Sequence, residues 1–306
     1  MAPRGRERKV TCAGFDAYEA EVKRYGWSWF RTNTAAIAVI KAVPAVRAQA
    51  YRLSAALQTV GTDIIYRAGD RWVDERIDVQ KHLIDEALRM GGLTETADID
   101  DADPVPQAIL LLGLPGSGKS STLRPIADEL VRRTSERSQV VVDADIVRSL
   151  FPEYAAGLGS EVVQIETSDV ANRSLIDAAF ERRAHIVLDK VGHPERTIAV
   201  ARYLDRTGWS VWCLCASIDV DVEVERAQRR AAESGRYVPP KFIRSVGSEP
   251  LEAYEALRDS HIAISGCALL DTDVELGTPP IVLDAYSEDL FGHPGDVVSV
   301  WPSGEE

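Results

Sequence analysis

From Ala108 onward, short apolar runs alternate with longer segments in which apolar residues recur every three or four positions. Five of these runs have the length of one buried strand: 108–112, 139–142, 184–188, 210–216 and 268–271. The segments between them, among them 161–182 and 222–233, have the spacing of helices that bury one face. Strands that alternate with helices predict an α/β fold, in which a parallel sheet carries helices on both faces.

The region before this alternation has a pattern that predicts helices alone. Apolar residues between Phe15 and about Leu57 recur at helical spacing and are divided near Pro44, which predicts two amphipathic helices. Asp74–Met90 predicts a further helix. The acidic stretch Thr94–Pro106 has no periodicity and predicts a solvated linker.

The two patterns and the mixed C-terminal end suggest a division of the chain. The end, 277–306, combines Pro, Gly and short β-prone runs, and the pattern assigns no element to it. We expect a helical N-terminal region at 1–70, an α/β domain at 71–290 and a C-terminal tail at 291–306.

A glycine-rich loop follows the first strand of the α/β pattern. The segment Gly113-Leu114-Pro115-Gly116-Ser117-Gly118-Lys119-Ser120 fits the phosphate-loop motif G-x-x-x-x-G-K-[ST] without a mismatch, and a helical pattern follows it. Its glycines leave room for the backbone to wrap a phosphate chain, whose oxygens then face N–H groups and the positive end of the helix. Lys119 would reach the β- and γ-phosphates, and the Ser120 hydroxyl would hold Mg²⁺.

The motif predicts a protein that binds a nucleoside triphosphate together with Mg²⁺. The residues predicted to bind the nucleotide are Gly113, Pro115, Gly116, Ser117, Gly118, Lys119, Ser120 and Ser121.

Charge and hydropathy narrow the range of partners. The formal net charge of −13 argues against a general nucleic-acid surface, because polyphosphate would be repelled. No secretory signal opens the sequence, and the apolar run 35–40 is too short to span a bilayer. Four cysteines without a C-x-x-C pair are typical of thiols in a reducing compartment. We expect a cytoplasmic protein that acts on a small molecule.

Three carboxylates follow predicted strands and would meet at one edge of the sheet, where α/β proteins bind their ligands: Asp143, Asp145 and Asp189. Asp145 is our candidate for the base that orients and deprotonates an attacking hydroxyl, with helix capping as the alternative. Asp143 would help to position Mg²⁺ through water. Asp189 would bind Mg²⁺ or a substrate hydroxyl, or form an ion pair with Lys190.

An arginine cluster lies on the helix after the fourth strand. Arg226, Arg229 and Arg230 share one side of this helix, and Gly235-Arg236 follows it. Guanidinium groups there would clamp the transferred phosphate from a lid that closes over the triphosphate. A solvated helix face is the alternative.

These motifs together resemble the zeta toxin family of P-loop small-molecule kinases. The resemblance covers about Trp72 to Asp284 and rests on the phosphate loop and on three further segments: Val142–Asp145, Val187–Asp189 and Arg230–Pro239. It implies a nucleoside-kinase-like P-loop fold and ATP/Mg²⁺-dependent phosphorylation of a hydroxyl, best known as the 3′-hydroxyl of the amino sugar in UDP-N-acetylglucosamine. It makes Lys119 the phosphate-binding lysine, Asp145 the base, and Arg230 and Arg236 the arginines that stabilise the transferred phosphate.

The residues that would contact the substrate differ from the family pattern. Asp189 takes the place of a sugar-binding glutamate, and His193 stands where a substrate-binding arginine is expected. The position of a second sugar-contacting glutamate holds Arg173 by simple counting, and Glu166 takes it after a shift in alignment. The acceptor is therefore either UDP-N-acetylglucosamine or a different small molecule, for example an antibiotic.

Two other functions fit parts of the sequence. A nucleotide or adenylylsulfate-type kinase also uses Asp-x-Asp after its second strand, with an arginine three residues on, here Arg148. A nucleotide-dependent switch or a self-inhibited module would use the N-terminal region to cover the ATP cleft as a built-in antitoxin does. A separate antitoxin is the corresponding partner.

Overall fold

The computed structural model describes residues 61–91, 93, 105–134, 139–151, 153–154, 162–234, 238–275 and 277–287. The two N-terminal helices, most of the acidic linker and the tail that the sequence predicts lie outside the described residues. The chain divides into two compact units. The described residues of the first unit fall within 61–77, 148–167 and 227–238, and those of the second within 78–147, 168–226 and 239–287.

The helices alternate with strands along the second unit, as the sequence predicts. The described helices are α1 (Thr62–Tyr66), α2 (Asp74–Met90), α3 (Arg124–Thr134), α4 (Ala144–Leu150), α5 (Gln164–Asp169), α6 (Leu175–Glu181), α7 (Pro194–Arg206), α8 (Val220–Ser234), α9 (Pro240–Val246) and α10 (Glu249–Arg258). Two π-helical turns accompany them, Lys119–Leu123 before α3 and Val170–Ser174 between α5 and α6. In the part of the chain that is described, no helix combines the length and apolar character needed to cross a membrane.

The strands form a short hairpin and one six-stranded sheet. They are β1 (Arg67–Ala68), β2 (Arg71–Trp72), β3 (Gln107–Leu112), β4 (Gln139–Val142), β5 (His185–Lys190), β6 (Ser210–Ser217), β7 (Ile264–Asp271) and β8 (Ile281–Ser287). The hairpin pairs β1 with β2, and the sheet has the order β4-β5-β3-β6-β7-β8. The first five strands of this order are parallel, so their carboxyl ends share one edge, and β8 runs antiparallel to β7.

Helices cover both faces of this sheet. On one face, α3 buries Ile126, Ala127 and Leu130 against alternate residues of β3, Ile109 and Leu111. Fully burying one such aliphatic side chain stabilises the fold by about 1.5–3 kcal/mol.

The opposite face packs against α10. Cys215 of β6 lies 3.5 Å from the Pro250 carbonyl oxygen, and Tyr254 contacts Cys267 of β7 at 3.8 Å. The three described cysteines, Cys213, Cys215 and Cys267, are buried free thiols. The predicted parallel sheet with helices on both faces is confirmed.

Three of the differences between the structure and the sequence prediction concern the sheet and the helix at 161–182. The helix predicted at 161–182 is divided by the π-helical turn Val170–Ser174. The strand predicted to end at 188 continues to Lys190, so Asp189 lies inside β5 and pairs with Leu111. The C-terminal segment to which the sequence assigned no element contributes the edge strand β8. The end of β5 and the presence of β8 depend on pairing with a neighbouring strand. The hydrophobic pattern within one segment does not contain that information.

A buried ion cluster organises the first unit. Arg76 of α2 is 5% exposed and binds both carboxylate oxygens of the fully buried Glu166, at 2.7 and 2.8 Å. The same guanidinium donates to Glu153 at 2.9 Å and lies over the rings of Tyr66 and Phe151. Burial by itself lowers the pKa of Arg76, but its bonds to the two glutamates outweigh this and raise the pKa, so the arginine stays charged.

Replacing Arg76 with alanine should destabilise the protein strongly, because the carboxylate of Glu166 would stay buried without its partner. Removing one member of a buried ion pair costs about 3–5 kcal/mol. We expect a loss of this size in the free energy of unfolding, measured by urea denaturation followed by circular dichroism. Arg71→Ala is the control, because Arg71 forms an exposed ion pair with Asp74 and should change stability by about 0.5 kcal/mol or less. Equal losses in the two variants would contradict this account.

Candidate active site

The phosphate loop links β3 to the π-helical turn that opens α3. Gly113 has φ of +153° and Gly118 has φ of +86°, a backbone conformation that other residues rarely adopt. A Cβ atom on Gly113 would lie 2.4 Å from the Ser117 hydroxyl oxygen. The loop closes tightly because its glycines carry no side chains.

Other polar groups fix this loop from behind and leave hydroxyls for a ligand. The Thr272 hydroxyl, at the end of β7, donates to the Ser117 carbonyl at 2.7 Å. The buried Ser117 hydroxyl has no hydrogen-bond partner among the described residues. Ser120 and Ser121 are exposed at the start of the π-helical turn, and Ser121 donates weakly to the Gly118 carbonyl at 3.4 Å. A loop held from behind, with an unused hydroxyl, fits a site for phosphate oxygens and a bound Mg²⁺.

Lys119 points back over the loop. Its ammonium donates to the Gly113 carbonyl at 2.6 Å and to the Leu114 carbonyl at 3.1 Å. It also lies 3.6 Å from the Asp189 carboxylate, and its side chain is 11% exposed. Two loop carbonyls and one carboxylate therefore surround the ammonium.

Two of the three acidic residues predicted at the carboxyl edge lie side by side there. Val142 of β4 pairs with Leu188 of β5, so Asp143 and Asp189, the next residues, lie side by side. The Asp143 carboxylate accepts a hydrogen bond from the Asp145 backbone N–H at 2.8 Å and so caps α4. Asp145 is half-buried in the first turn of that helix.

Burial shifts the pKa of Asp189 and of its neighbour Lys190. Burial raises the pKa of Asp189, Lys119 opposes this rise, and Asp143 adds to it. Burial lowers the pKa of Lys190 to about 8, while Asp189 and Asp143 act in the opposite direction. The Lys190 ammonium donates to the Asn172 side-chain carbonyl. Close like charges in a partly dry cleft are typical of catalytic sites.

The other predicted site residues are more dispersed. His193 is exposed just before α7, four residues after Asp189, and so lies near the same edge of the sheet. Glu166 and Arg230 belong to the first unit, where Glu166 is bound by Arg76. Arg236 lies outside the described residues. Their roles in substrate binding and phosphate transfer stay predictions.

Arg148 and Arg226 have protein partners in their own units. Arg148 donates to the Gln164 side chain at 2.8 Å in the first unit. Arg226 donates to the Thr272 carbonyl at 2.9 Å and to Asp273 at 3.1 Å. It thus holds the end of β7, next to the threonine that supports the phosphate loop.

Sequence reasoning missed two residues beside the loop. Thr272 directly follows a predicted core strand, and a polar residue at that position was a usable signal. Glu223 is 4% exposed in the first turns of α8, and burial raises its pKa to about 7, with Lys119 opposing the rise and Asp219 adding to it. Its valine neighbours, Val222 and Val224, gave no indication that the carboxylate between them is buried.

The comparisons with known proteins agree with this geometry. The sequence profile of the zeta toxin family matches residues 93–270, more than half of the chain. The chain belongs to the zeta toxin family. The match contains the phosphate loop, Asp143, Asp145, Asp189 and Glu223, and the resemblance seen in the sequence is confirmed.

Two curated proteins match part of the chain. A UPF0200 protein of Aeropyrum pernix is 27% identical over 177 residues, which are 57% of this chain and 92% of that protein. A signal recognition particle protein of Streptococcus mutans is 24% identical over 118 residues, 36% of this chain. The match spans 23% of the length of the signal recognition particle protein.

Solved structures share the fold of this zeta toxin family member. A chain of the PezAT chromosomal toxin–antitoxin system of Streptococcus pneumoniae is 18% identical, with a TM-score of 0.51 over 77% of this chain and 90% of that chain. A chain of the AvrRxo1-ORF1:-ORF2 complex, crystallised with ATP, is also 18% identical, with a TM-score of 0.51 over 75% of this chain and 77% of that chain. The P-loop α/β fold predicted from the sequence is confirmed.

The buried carboxylate of Glu223 should make stability depend on pH. Its pKa is about 7 in the folded state and near 4.5 when solvated, so its contribution to stability is full below pH 4.5 and is lost as pH rises through 7. The natural protein should therefore lose stability as the pH rises, whereas Glu223→Gln should not. Relative to the natural protein, the free energy of unfolding of the variant should rise by about 1–2 kcal/mol between pH 5 and pH 8, allowing for solvent screening. Urea unfolding at the two pH values measures this difference. Glu225→Gln, on the exposed side of α8, should show no such gain; the prediction fails if both variants behave alike.

Proposed function

We propose that this protein is a kinase that uses ATP and Mg²⁺ to phosphorylate a hydroxyl group of a small molecule. The observation that carries the proposal is the position of Lys119, which lies between the phosphate loop and Asp189 with Asp143 beside it. A phosphate-binding lysine next to carboxylates is the arrangement that phosphoryl transfer to a hydroxyl requires. Membership of the zeta toxin family and the shared P-loop fold support a phosphotransferase.

The phosphate loop would bind and orient the triphosphate. Its backbone N–H groups and the start of the following helix face the anionic oxygens, and Lys119 exchanges the carbonyls of Gly113 and Leu114 for the β- and γ-phosphates. Bound Mg²⁺ would neutralise charge on these oxygens, and Ser120 is the residue that would hold it. The Lys119 ammonium also lies 3.6 Å from the Asp189 carboxylate, which keeps the charge of the lysine beside the phosphate loop.

The carboxylates would act on the acceptor. Asp145 accepts the proton of the attacking hydroxyl, and the bond from its N–H to Asp143 fixes the turn that carries it. Asp189 orients the acceptor beside Lys119, and His193 contacts it from the start of α7. Arg230 and Arg236 would stabilise the transferred phosphate, as the family resemblance implies. The resemblance also implies a substrate role for Glu166, but Arg76 already binds both of its carboxylate oxygens.

UDP-N-acetylglucosamine is the first acceptor to test, because the family resemblance points to it. Asp189 is one methylene shorter than the glutamate expected there, and His193 replaces an arginine. Loss of a long carboxylate and of a cation weakens the recognition of a diphosphate-linked sugar, which favours other hydroxylated acceptors, antibiotics among them.

A phosphotransfer panel tests the proposed activity. The purified full chain receives γ-labelled ATP and Mg²⁺ with UDP-N-acetylglucosamine, hydroxylated metabolites or hydroxylated antibiotics, and Lys119→Ala is the blank. We expect label on one acceptor class and none with the blank. Label on the nucleotide sugar supports a toxin-type substrate. Label on another acceptor alone supports the same kinase mechanism with a different substrate. ATP binding without transfer to any acceptor would contradict the kinase proposal and favour a nucleotide-dependent switch.

If Asp145 is the base, its loss should slow phosphate transfer without weakening the binding of ATP. Asp145→Asn should bind ATP as the natural protein does but transfer phosphate about 10²–10⁴-fold more slowly, since the base is lost and the phosphate loop is intact. Equilibrium binding of a fluorescent ATP analogue and initial transfer rates measure the two effects. Asp177→Asn, exposed on α6, is the control and should change neither. Full transfer by the Asp145 variant would assign the base elsewhere.

We further propose that the kinase is restrained by an antitoxin or by its own N-terminal region. Support comes from the similar structures, which belong to a toxin–antitoxin system and to a two-component ORF1:ORF2 complex. The 60 residues that precede the described part of the chain supply the sequence for an intramolecular inhibitor.

Truncation distinguishes the two forms of restraint. Deleting residues 1–60 leaves α1 in place, where the Thr62 N–H donates to the Val162 carbonyl at 2.7 Å. If the N-terminal region inhibits, the truncated protein should transfer phosphate faster than the full chain at equal ATP. An unchanged rate in a folded truncation, checked by circular dichroism, would exclude self-inhibition and direct the search to a separate antitoxin.

A further inference from the structure

A cavity beside the phosphate loop has the size and lining of a small-molecule site. It has a volume of about 530 Å³ and lies wholly within the second unit. Leu114 of the phosphate loop forms one wall, the segment 216–220 and Glu223 form the second, and the start of α10 with Gly247 and Leu251 forms the third. Sites for small ligands in proteins typically enclose about 300–1,000 Å³, with apolar walls and a few polar groups.

Glu223 is the buried polar group of this cavity. Its side chain is 4% exposed and lines the cavity. Within the part of the chain that the structure describes, its carboxylate has no hydrogen bond and no ion pair. Lys119 attracts it electrostatically, yet the Lys119 ammonium makes its ion pair with Asp189. A buried carboxylate without a partner costs free energy that a donating ligand would recover.

The charges around the cavity favour a cation. Asp219 also lines it and repels the charge of Glu223, whereas the guanidinium of Arg244 is paired with Asp221. The thiol of Cys215 interacts electrostatically with Glu223. Burial raises the pKa of this thiol to about 12, so it stays neutral. Two acidic residues line the space, although the Asp219 carboxylate also accepts a hydrogen bond from the Asp221 N–H, and the arginine there is paired. An anion would therefore be repelled and an ammonium group attracted.

We propose that this cavity binds a small organic amine, with its ammonium on the Glu223 carboxylate and its apolar body against Leu114, Val220 and Leu251. The ammonium supplies the hydrogen bonds that the protein does not give to Glu223, and the apolar walls bury the carbon skeleton. The cavity adjoins the groups assigned to phosphate transfer, because Leu114 lines it and Lys119 attracts Glu223. The proposal does not depend on the kinase activity, and it can fail or hold independently of it.

A binding experiment without nucleotide tests this site. Cyclohexylamine is titrated into the ¹⁵N-labelled full chain at pH 8, and amide shifts are followed by NMR; cyclohexanol is the uncharged probe of the same shape. We expect saturable shifts at Val220, Glu223 and Gly247. Binding of the amine should weaken by about tenfold or more in Glu223→Gln and stay unchanged in the control Glu225→Gln, since a charge-assisted bond is lost in the first variant alone.

The pH dependence and a blocked cavity complete the test. Cyclohexylamine stays protonated between pH 6 and pH 8, so its affinity should fall at pH 6 as Glu223 takes up its proton, and that of cyclohexanol should not. Leu251→Trp should fill the cavity and abolish the amide shifts with both probes. This variant tests the site independently if Glu223→Gln does not fold. Shifts spread over the surface, or equal amine affinity in the natural protein and Glu223→Gln, would overturn the proposal.

Discussion

The ammonium of Lys119 has to remain beside the phosphate loop although burial penalises an unpaired charge. The protein meets this requirement with two loop carbonyls at 2.6 and 3.1 Å and the Asp189 carboxylate at 3.6 Å. The arrangement depends on the parallel pairing of β3 with β5, which brings the end of one strand next to the end of the other. The glycines of the loop are required for the same reason, because a Cβ atom on Gly113 would collide with Ser117.

The other buried charges are either fully paired or only partly paired. In the first unit, Arg76 satisfies Glu166 with two short hydrogen bonds, and the pair is closed to solvent. In the second unit, Asp189 and Glu223 are buried with incomplete compensation, and the pKa of each is raised. A fully paired cluster stabilises one conformation, whereas carboxylates kept short of partners store interaction energy that a ligand can use. This contrast separates a structural cluster from candidate binding groups.

Much of the fold followed from local patterns. The apolar runs located the five parallel strands, and the motif Gly113–Ser120 located the phosphate loop between the first of them and its helix. The acidic residues Asp143 and Asp145 were found because parallel strands end at a common edge. The edge strand β8 was not assigned, since its side chains are largely exposed and its pairing with β7 decides its conformation. The N-terminal helices and Arg236 lie outside the described residues and stay predictions.

The sequence alone determined the chemistry of the site: a glycine loop with its lysine and serine, and carboxylates placed after strands, because these features depend on residue type and spacing. Tertiary structure decided which charges are close and which are buried. Asp189 reaches Lys119 through strand register, and Thr272 supports the loop from the end of a strand that is far away in sequence. Glu223 is buried at a cavity that Leu114 of the phosphate loop and the start of α10 also line. Proximity and burial are set by contacts between distant segments, and the pattern within one segment does not contain them.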